Sequence, residues 1–412
     1  MTRTVLAVFW LLVLAVLTLM PRPTDFQDPT APQLSACVIC GERGTADAIL
    51  NVLLFVPLGL VLSDRRWRLL RVVGAGLLLS ASIEFTQHFI PGRYSNLGDV
   101  VWNTSGAWVG ALIWSWRAHW LPGTGREVAR LRNAAVAAAA VATFAFGWLM
   151  EPSLPNVPYW GQWTPDLGFM PAYDGRVVRA QLDTMRIPPG RFPRRHDPRK
   201  LLMGNWRIDV TFVKGTPPTS LSPILNIYDE KHREVDLLGA EGQDFVFRER
   251  SRALFLRLDQ PDLRLEGAMA AAVAGDTVRA AVVRRGPDRC LTFQATSACP
   301  AFTPGRAWSL LMYPELGSGV RRTLDALWML VLMLPVGFWS RDLRRLAAAG
   351  VTTGLTIGIA VALTRLVWPT WTEIGGAVIG LTAGHVLRLL VAAHPRFFLW
   401  RGSPVGLSWN EE

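Results

Sequence analysis

Apolar runs long enough to cross a bilayer recur through residues 4–150 and again through 323–392, with a polar stretch of about 170 residues between them. A spanning helix needs about 20 predominantly apolar residues, because no water in the hydrocarbon core can satisfy an open backbone. Eight segments meet that demand: 4–20, 48–63, 69–90, 98–116, 133–150, 323–339, 346–368 and 371–392. The first resembles a secretory signal, but Leu19-Met20-Pro21-Arg22-Pro23 follows it with no small-residue cleavage site, so it reads as a retained helix. Pro57 and Gly59 predict an irregular end to the second.

Only 18% of residues are charged, and the chain carries a net +11. Such a balance can signal nucleic-acid binding, but the arginines sit in short clusters between apolar runs, and no zinc-finger spacing, RNP-like stretch or P-loop accompanies them. No nucleic-acid partner is expected. Arg65, Arg66, Arg68 and Arg71 follow the second segment, and Arg117, Arg126, Arg130 and Arg132 the fourth. Arg341, Arg344 and Arg345 follow the sixth, and Arg388, Arg396 and Arg401 the eighth. With eight crossings all of these share one side, which the positive-inside rule makes cytoplasmic. Both termini are then cytoplasmic, and residues 151–322 face the periplasm or exterior. Cys37 and Cys40, and Cys290 and Cys299, fall on the oxidising side as two local pairs suited to disulfides. A redox role for Cys37-Val38-Ile39-Cys40 stays open, and zinc lacks a second ligand pair.

The two apolar blocks compare in register. Asp47 leads to Pro57 and Gly59 as Asp325 leads to Pro335 and Gly337; Asp99 leads to Gly106 and Gly110 as Glu373 leads to Gly380 and Gly384. The expected fold is a polytopic α-helical membrane protein of about eight spans in two degenerate parallel four-helix halves, with an inserted periplasmic all-β sandwich. Its divisions are 1–118, a first membrane half; 119–150, a cytoplasmic loop and the fifth span; 151–322, the sandwich; 323–395, the second half; and 396–412, a cytoplasmic tail.

Within the first half the polar positions form an ordered series: Asp47-Ala48-Ile49-Leu50-Asn51, Leu54-Phe55-Val56-Pro57-Leu58-Gly59, Ser82-Ile83-Glu84-Phe85-Thr86-Gln87, Pro91-Gly92-Arg93, and Asp99-Val100-Val101-Trp102-Asn103 with Gly106. This series, over about residues 47–115, resembles the VanZ-like family. The family takes its name from a glycopeptide-resistance accessory protein. The resemblance implies an integral protein of a bacterial inner membrane, near cell-wall or surface-polysaccharide metabolism, with glycopeptide tolerance among the expected roles. The second half departs from the pattern, with Met329, Ala362 and Ala377 where the first has Asn51, Glu84 and Asn103.

Asp47, Asn51, Glu84, Gln87, Arg93, Asp99 and Asn103 are the candidate binding residues, because ionisable groups inside a membrane helix are expensive to keep. Glu84 is the candidate acid or base, and Arg93 offers a planar fork for phosphate or carboxylate. Asp47 and Asp99 with Asn51 and Asn103 are oxygen donors of the kind a divalent cation takes, yet no metal motif appears and neither metal nor cofactor is expected. The plainer alternatives are helix capping by Asp47 and Asp99, a Glu84–Arg93 ion pair, and interhelix hydrogen bonds from the asparagines. His88 reads as an interface residue.

In the insert, alternating apolar runs predict strands at Val177–Met185, Trp206–Val213, Ile224–Tyr228, Phe245–Phe247, Ala253–Leu258, Thr277–Val283, Cys290–Phe293 and Trp308–Met312. Their order loosely resembles laminin-G or concanavalin-like jelly rolls, which implies glycan contact through Trp160, Trp163 or Trp206; burial in the core is the competing role for each. The functional expectation is binding or handling of a glycan or lipid-linked envelope component, with a membrane lipid, envelope polysaccharide or cell-wall protein as partner. An intramembrane enzyme acting on a lipid-linked phosphate, a non-catalytic assembly subunit and a transporter are the alternatives.

Overall fold

The computed structural model describes residues 2–21, 34–35, 37–39, 41, 43–63, 69–93, 95–121, 125–168, 170–193, 198–286, 288–312 and 317–393. The first block forms α1 (Thr2–Leu19), β1 (Leu34–Ser35), α2 (Gly44–Leu62), α3 (Leu69–Gln87), β2 (Ser95–Asn96), α4 (Leu97–Ser115), the single turn α5 (Arg117–Trp120) and α6 (Gly125–Leu149). After the insert come α8 (Ser318–Phe338), α9 (Leu343–Leu363) and α10 (Trp371–Ala393). Among the described residues, α2, α3, α6, α9 and α10 are long and apolar enough to cross a membrane, and Thr4–Leu19 is a shorter apolar helix. Their outer faces are apolar and open, as at Leu78 (71% exposed), Val351 (65%) and Leu363 (69%), a surface that water would not tolerate but lipid requires. The remaining long helices mix polar groups into their apolar runs, Asp99, Asn103 and Thr104 in α4, and Arg321, Arg322 and Asp325 in α8. Pro57 does not interrupt α2, which runs on to Leu62.

Two tight helix pairs organise the bundle. A Cβ at Gly106 or Gly110 of α4 would collide with the carbonyl of Val52 or Val56 on α2, and one at Gly59 of α2 with the carbonyl of Ala107. The α8–α10 pair is built likewise: Gly380 and Gly384 meet the carbonyls of Leu330 and Leu334, and Gly337 that of Leu381. Small residues let the backbones approach, which is how helices gain contact where lipid removes the hydrophobic drive.

The insert folds into two antiparallel sheets stacked as a sandwich. One has the order β10 (Leu263–Leu265), β9 (Asp244–Glu249), β8 (Glu234–Glu241), β7 (Ser222–Asp229), β3 (Tyr159–Trp163). The other runs β13 (Thr296–Ala298), β12 (Asp288–Phe293), β11 (Thr277–Arg285), β6 (Trp206–Val213), β4 (Arg176–Leu182), β5 (Met185–Arg186), with helix α7 (Pro198–Met203) between β5 and β6 in the chain. Along β6 the even positions Trp206, Ile208, Val210 and Phe212 are buried, the period-two pattern of a strand with one face on a core. They pack on Ile224, Leu238, Phe245 and Phe247 of the facing sheet. Cys290 and Cys299 are joined, closing the β12–β13 hairpin. Cys40 lies outside the described residues, so its pairing with Cys37 does too.

Two expected strands are short 3-10 helices instead, Arg252–Leu256 and Pro304–Leu310. Their apolar residues Ala253, Leu258, Ala307 and Leu310 face Ala46, Phe146 and Met329 of the helices rather than the sandwich core, so no sheet neighbour claims them. Strands β3, β8 and β10 were not among the runs expected from alternation; β8 is buried on both faces through Val235–Ala240, which erases the period.

Candidate functional site

The polar series of the first half gathers at the end of the bundle nearest the sandwich. The Asn51 amide on α2 donates to the Asp99 carboxylate on α4 at 2.9 Å. Asp47 lies in the first turn of α2, exposed, and near enough to Asp99 for their charges to repel. Glu84, buried at the end of α3, accepts from the Asn96 amide at 2.7 Å, while its backbone carbonyl accepts from the Ser95 hydroxyl. Deeper between α3 and α4, the Asn103 amide donates to Ser80 at 2.9 Å, and the Asn103 carbonyl oxygen is buried with no partner among the described residues. These contacts hold three helices and the strand β2 together.

Gln87 and Arg93 turn elsewhere. The Gln87 amide donates to the Thr18 carbonyl at 2.8 Å, and the Arg93 guanidinium donates to Leu17 and Met20 at 2.9 and 3.1 Å. The last carbonyls of α1 have no intrahelical donors, and these side chains supply them. Asp47 and Asp99 each lie in the first turn of their helix, where a carboxylate suits the dipole. Asn96 caps α4 through the Gly98 amide, and the first amides of α2, Thr45 and Ala46, donate to the Arg257 carbonyl of the insert at 3.2 and 3.3 Å. Among the described residues, no group of three or more His, Cys, Asp or Glu side chains is arranged to hold a metal ion.

Arg257 adopts a left-handed conformation (φ 52°, ψ 39°) that places its carbonyl on α2, while its guanidinium donates to Ile39. Such a conformation costs about 1–3 kcal/mol and persists where surrounding contacts over-determine it. Beside it Arg43 pairs with Asp259 at 2.8 Å; burial pushes the Asp259 carboxyl up, and Arg43 opposes that shift. The sandwich is thus fastened to the first block of helices through α2.

It is fastened to the other half as well, and there the second candidate site lies. Asp325 on α8 accepts from the Trp308 indole at 2.7 Å and faces Arg306 at 3.5 Å. Glu373 on α10, fully buried, accepts from Thr303 and from the Thr370 amide, forming with Thr370 a reciprocal N-terminal cap. Above these side chains opens a cleft of about 610 Å³ between the sandwich and the starts of α8 and α10, lined by Arg264, Glu266, Arg306, Arg321, Arg322, Trp371 and their neighbours. Arg321 pairs with Glu266 at 2.9 Å; Arg322 approaches the same carboxylate at 3.8 Å and is mostly exposed. Sequence reasoning missed this cleft by treating the second half as degenerate. The available signal was the pair Arg321-Arg322 four and three residues before Asp325, with Trp371 opening the last apolar segment.

Of the tryptophans considered for sugar stacking, Trp206 is core, its indole donating to Leu202. Trp160 and Trp163 are half-buried, with Arg191 and Arg186 over their rings.

The helices, their lipid-facing surface and the docked β-sandwich define a multi-pass membrane protein with an extramembrane β-domain that carries a disulfide. Residues 7–118 match the VanZ/LLP1 family model, so the matched region takes in α1 as well as the polar series of α2–α4. No curated protein and no solved structure matches the chain.

Proposed function

We propose that this protein holds an anionic, lipid-linked component of the cell envelope at the junction of its sandwich and its second helical half. One stripe of α8 carries the proposal. Arg321 and Asp325 line the polar cleft, and Trp328, Leu332, Pro335 and Trp339, continuing on the same helix face, line an apolar groove of about 400 Å³ against Ala135 and Ala139 of α6. A head group in the cleft and an acyl or isoprenoid chain in the groove would match that polarity. Arg322 and Arg306 suit a phosphate, and Trp371, 87% exposed at the start of α10, sits where indoles favour the membrane interface. The sandwich wall of the cleft, Glu266 and Arg264 included, would meet the group that the lipid carries.

In this reading the VanZ-like polar series is structural. Glu84 is engaged by the Asn96 amide and Asp99 by Asn51, so neither is presented as an acid or base, and catalysis is not proposed. We also propose eight crossings in two parallel halves, α1–α4 and α6 with α8–α10, both termini cytoplasmic and the sandwich outside. The glycine seams support the repeat, because Gly106–Val52, Gly110–Val56 and Gly59–Ala107 correspond in order to Gly380–Leu330, Gly384–Leu334 and Gly337–Leu381. The basic clusters and the Cys290–Cys299 bond support the orientation.

The test is mass spectrometry of lipids retained by full-length protein extracted with its surrounding bilayer, alongside Arg322→Glu and Ala139→Trp. The expected result is an anionic lipid-linked species enriched on wild type and depleted from both variants. An identical lipid profile in all three proteins, each melting as a folded species, overturns the proposal.

A further inference from the structure

A second, smaller cavity lies under the sandwich beside the amphiphile cleft, the two sharing Leu263 and Pro300–Phe302 as a wall. It measures about 40 Å³ and is enclosed by Phe247, Glu249, Ser251, Arg289, Phe302 and Arg365, among others. That is room for about three water molecules, or one small ion, when one water needs roughly 10–15 Å³. Arg365 enters it from the turn between α9 and α10, a turn held to the sandwich by the Val367 amide donating to Phe302 at 3.0 Å.

The charges around this cavity do not balance. Glu249 is its lining carboxylate, and Arg289 already holds it through two bonds of 2.8 and 2.6 Å, with Arg284 adding a third at 3.2 Å. Arg365 comes close enough to repel both arginines. Its Nη1 is buried and has no hydrogen-bond partner among the described residues, and the Nε of Arg284 is in the same position. At the rim Arg252 and Glu151 pair with each other at 2.8 Å. Asp236 lies nearby, fully enclosed, its carboxyl raised well above the ordinary range by burial and then by Glu249. Arg284, Arg289 and Arg365 thus crowd around Glu249, with Glu151 already paired to Arg252, and a void beside an excess of guanidinium groups with an unbonded nitrogen invites an anion.

We infer that the cavity beneath the sandwich binds a small inorganic anion, held by Arg365 and flanked by Arg289. The bound anion would link the α9–α10 turn to β9 and β12, fixing the sandwich on the second half. Filling the site is then a docking interaction made on the far side of the Pro300–Phe302 wall from the cleft.

The experiment is thermal unfolding of the full-length protein in nanodiscs of zwitterionic lipid, with sodium chloride or sodium phosphate replacing sodium gluconate at constant ionic strength. For wild type, Tm rises along a saturating curve with at least one of the two anions, since a ligand that binds the folded state alone stabilises it. Arg365→Gln removes the curve and, in gluconate, melts above wild type because the uncompensated charge is gone. Arg365→Lys keeps a weaker response, and Arg179→Gln, exposed on β4 and lining neither cavity, keeps the full one. Calorimetric titration of wild type with each anion tests binding without any variant. Curves that coincide for wild type and Arg365→Gln, or the absence of a saturable response and of heat in wild type with both anions, overturn the inference.

Discussion

Replacing Gly106 by alanine sets two effects of opposite sign against each other, and the seam decides between them. Alanine normally stabilises a helix interior by about 1 kcal/mol relative to glycine. Gly74 of α3 and Gly354 of α9 have nothing within 4 Å of where a Cβ would lie, so alanine there should deliver most of that gain. At Gly106 the added carbon would overlap the Val52 carbonyl, also within 3.0 Å of the Val52 carbonyl carbon and the Phe55 Cβ. Ordinary C···O contact needs roughly 3.3–3.6 Å, so α4 must move off α2 by on the order of 1 Å. A gap of 0.5–1 Å forfeits about a quarter to a half of each dispersion contact along the seam, and overpacking of this kind costs about 1–3 kcal/mol. Net destabilisation of about 1–2 kcal/mol is therefore expected for Gly106→Ala, and the same for Gly380→Ala at the matching place on α10. Gly74→Ala and Gly354→Ala should come out stabilised. Equilibrium unfolding of the full chain in mixed micelles, titrated with sodium dodecyl sulfate and followed by far-ultraviolet circular dichroism, measures all four. Equal stability for Gly106→Ala and Gly74→Ala would refute the close-approach argument, and a large cost at Gly106 with none at Gly380 would count against the repeat.

Three further outcomes are expected. Removing the Cys290–Cys299 bridge by paired alanine substitution should cost the sandwich about 2–3 kcal/mol, the chain-entropy value for so short a loop, and reductant should lower the denaturation midpoint of wild type but not of the variant. Asp236→Asn should alter the pH dependence of stability: the folded carboxyl is raised by burial and by Glu249, so its contribution is intact below about pH 4 and is lost as pH rises toward the folded value. The variant should therefore gain on wild type by up to about 1.4 kcal/mol per pH unit above that point, in urea melts across a pH series; a constant offset would mean Asp236 does not titrate differently in the two states. Asn51→Ala and Asp99→Asn should show coupling of at least about 0.5 kcal/mol in a double-mutant cycle on unfolding stability, and strict additivity would remove the Asn51–Asp99 bond from the account.

The helices and most strands were legible because each repeats a single demand along its length. Trp206–Val213 alternates, and the strand has those limits. The apolar runs located the long helices, most to within a turn or two and α6 with a start eight residues late, since lipid leaves a chain few alternatives. What escaped were segments whose apolar residues serve a neighbour from another part of the chain. Ala253–Leu258 alternates by composition, yet Ala253 and Leu258 answer to the helices beneath. Strand β8 lost its alternation for the converse reason, being covered on both sides.

The candidate site divides along the same line. That Asp47, Asn51, Glu84, Asp99 and Asn103 share one end of the bundle followed from helix direction and spacing alone. What each side chain does there depended on donors far away in sequence. Glu84 meets the Asn96 amide, Gln87 and Arg93 meet the frayed carbonyls of α1, and α2 is capped by Arg257, more than two hundred residues on. Sequence ranks a polar group in a membrane helix as costly; it cannot say whether the compensating partner is a ligand or another helix end. Here the partners of the first half are mostly the protein's own backbone. The charges left with weak or missing partners, Arg322 at 3.8 Å from Glu266 and Arg365 with a buried unbonded nitrogen, lie instead where the sandwich meets α8, α9 and α10. Ligands should therefore be sought at that junction, in the half whose motifs the family pattern does not cover.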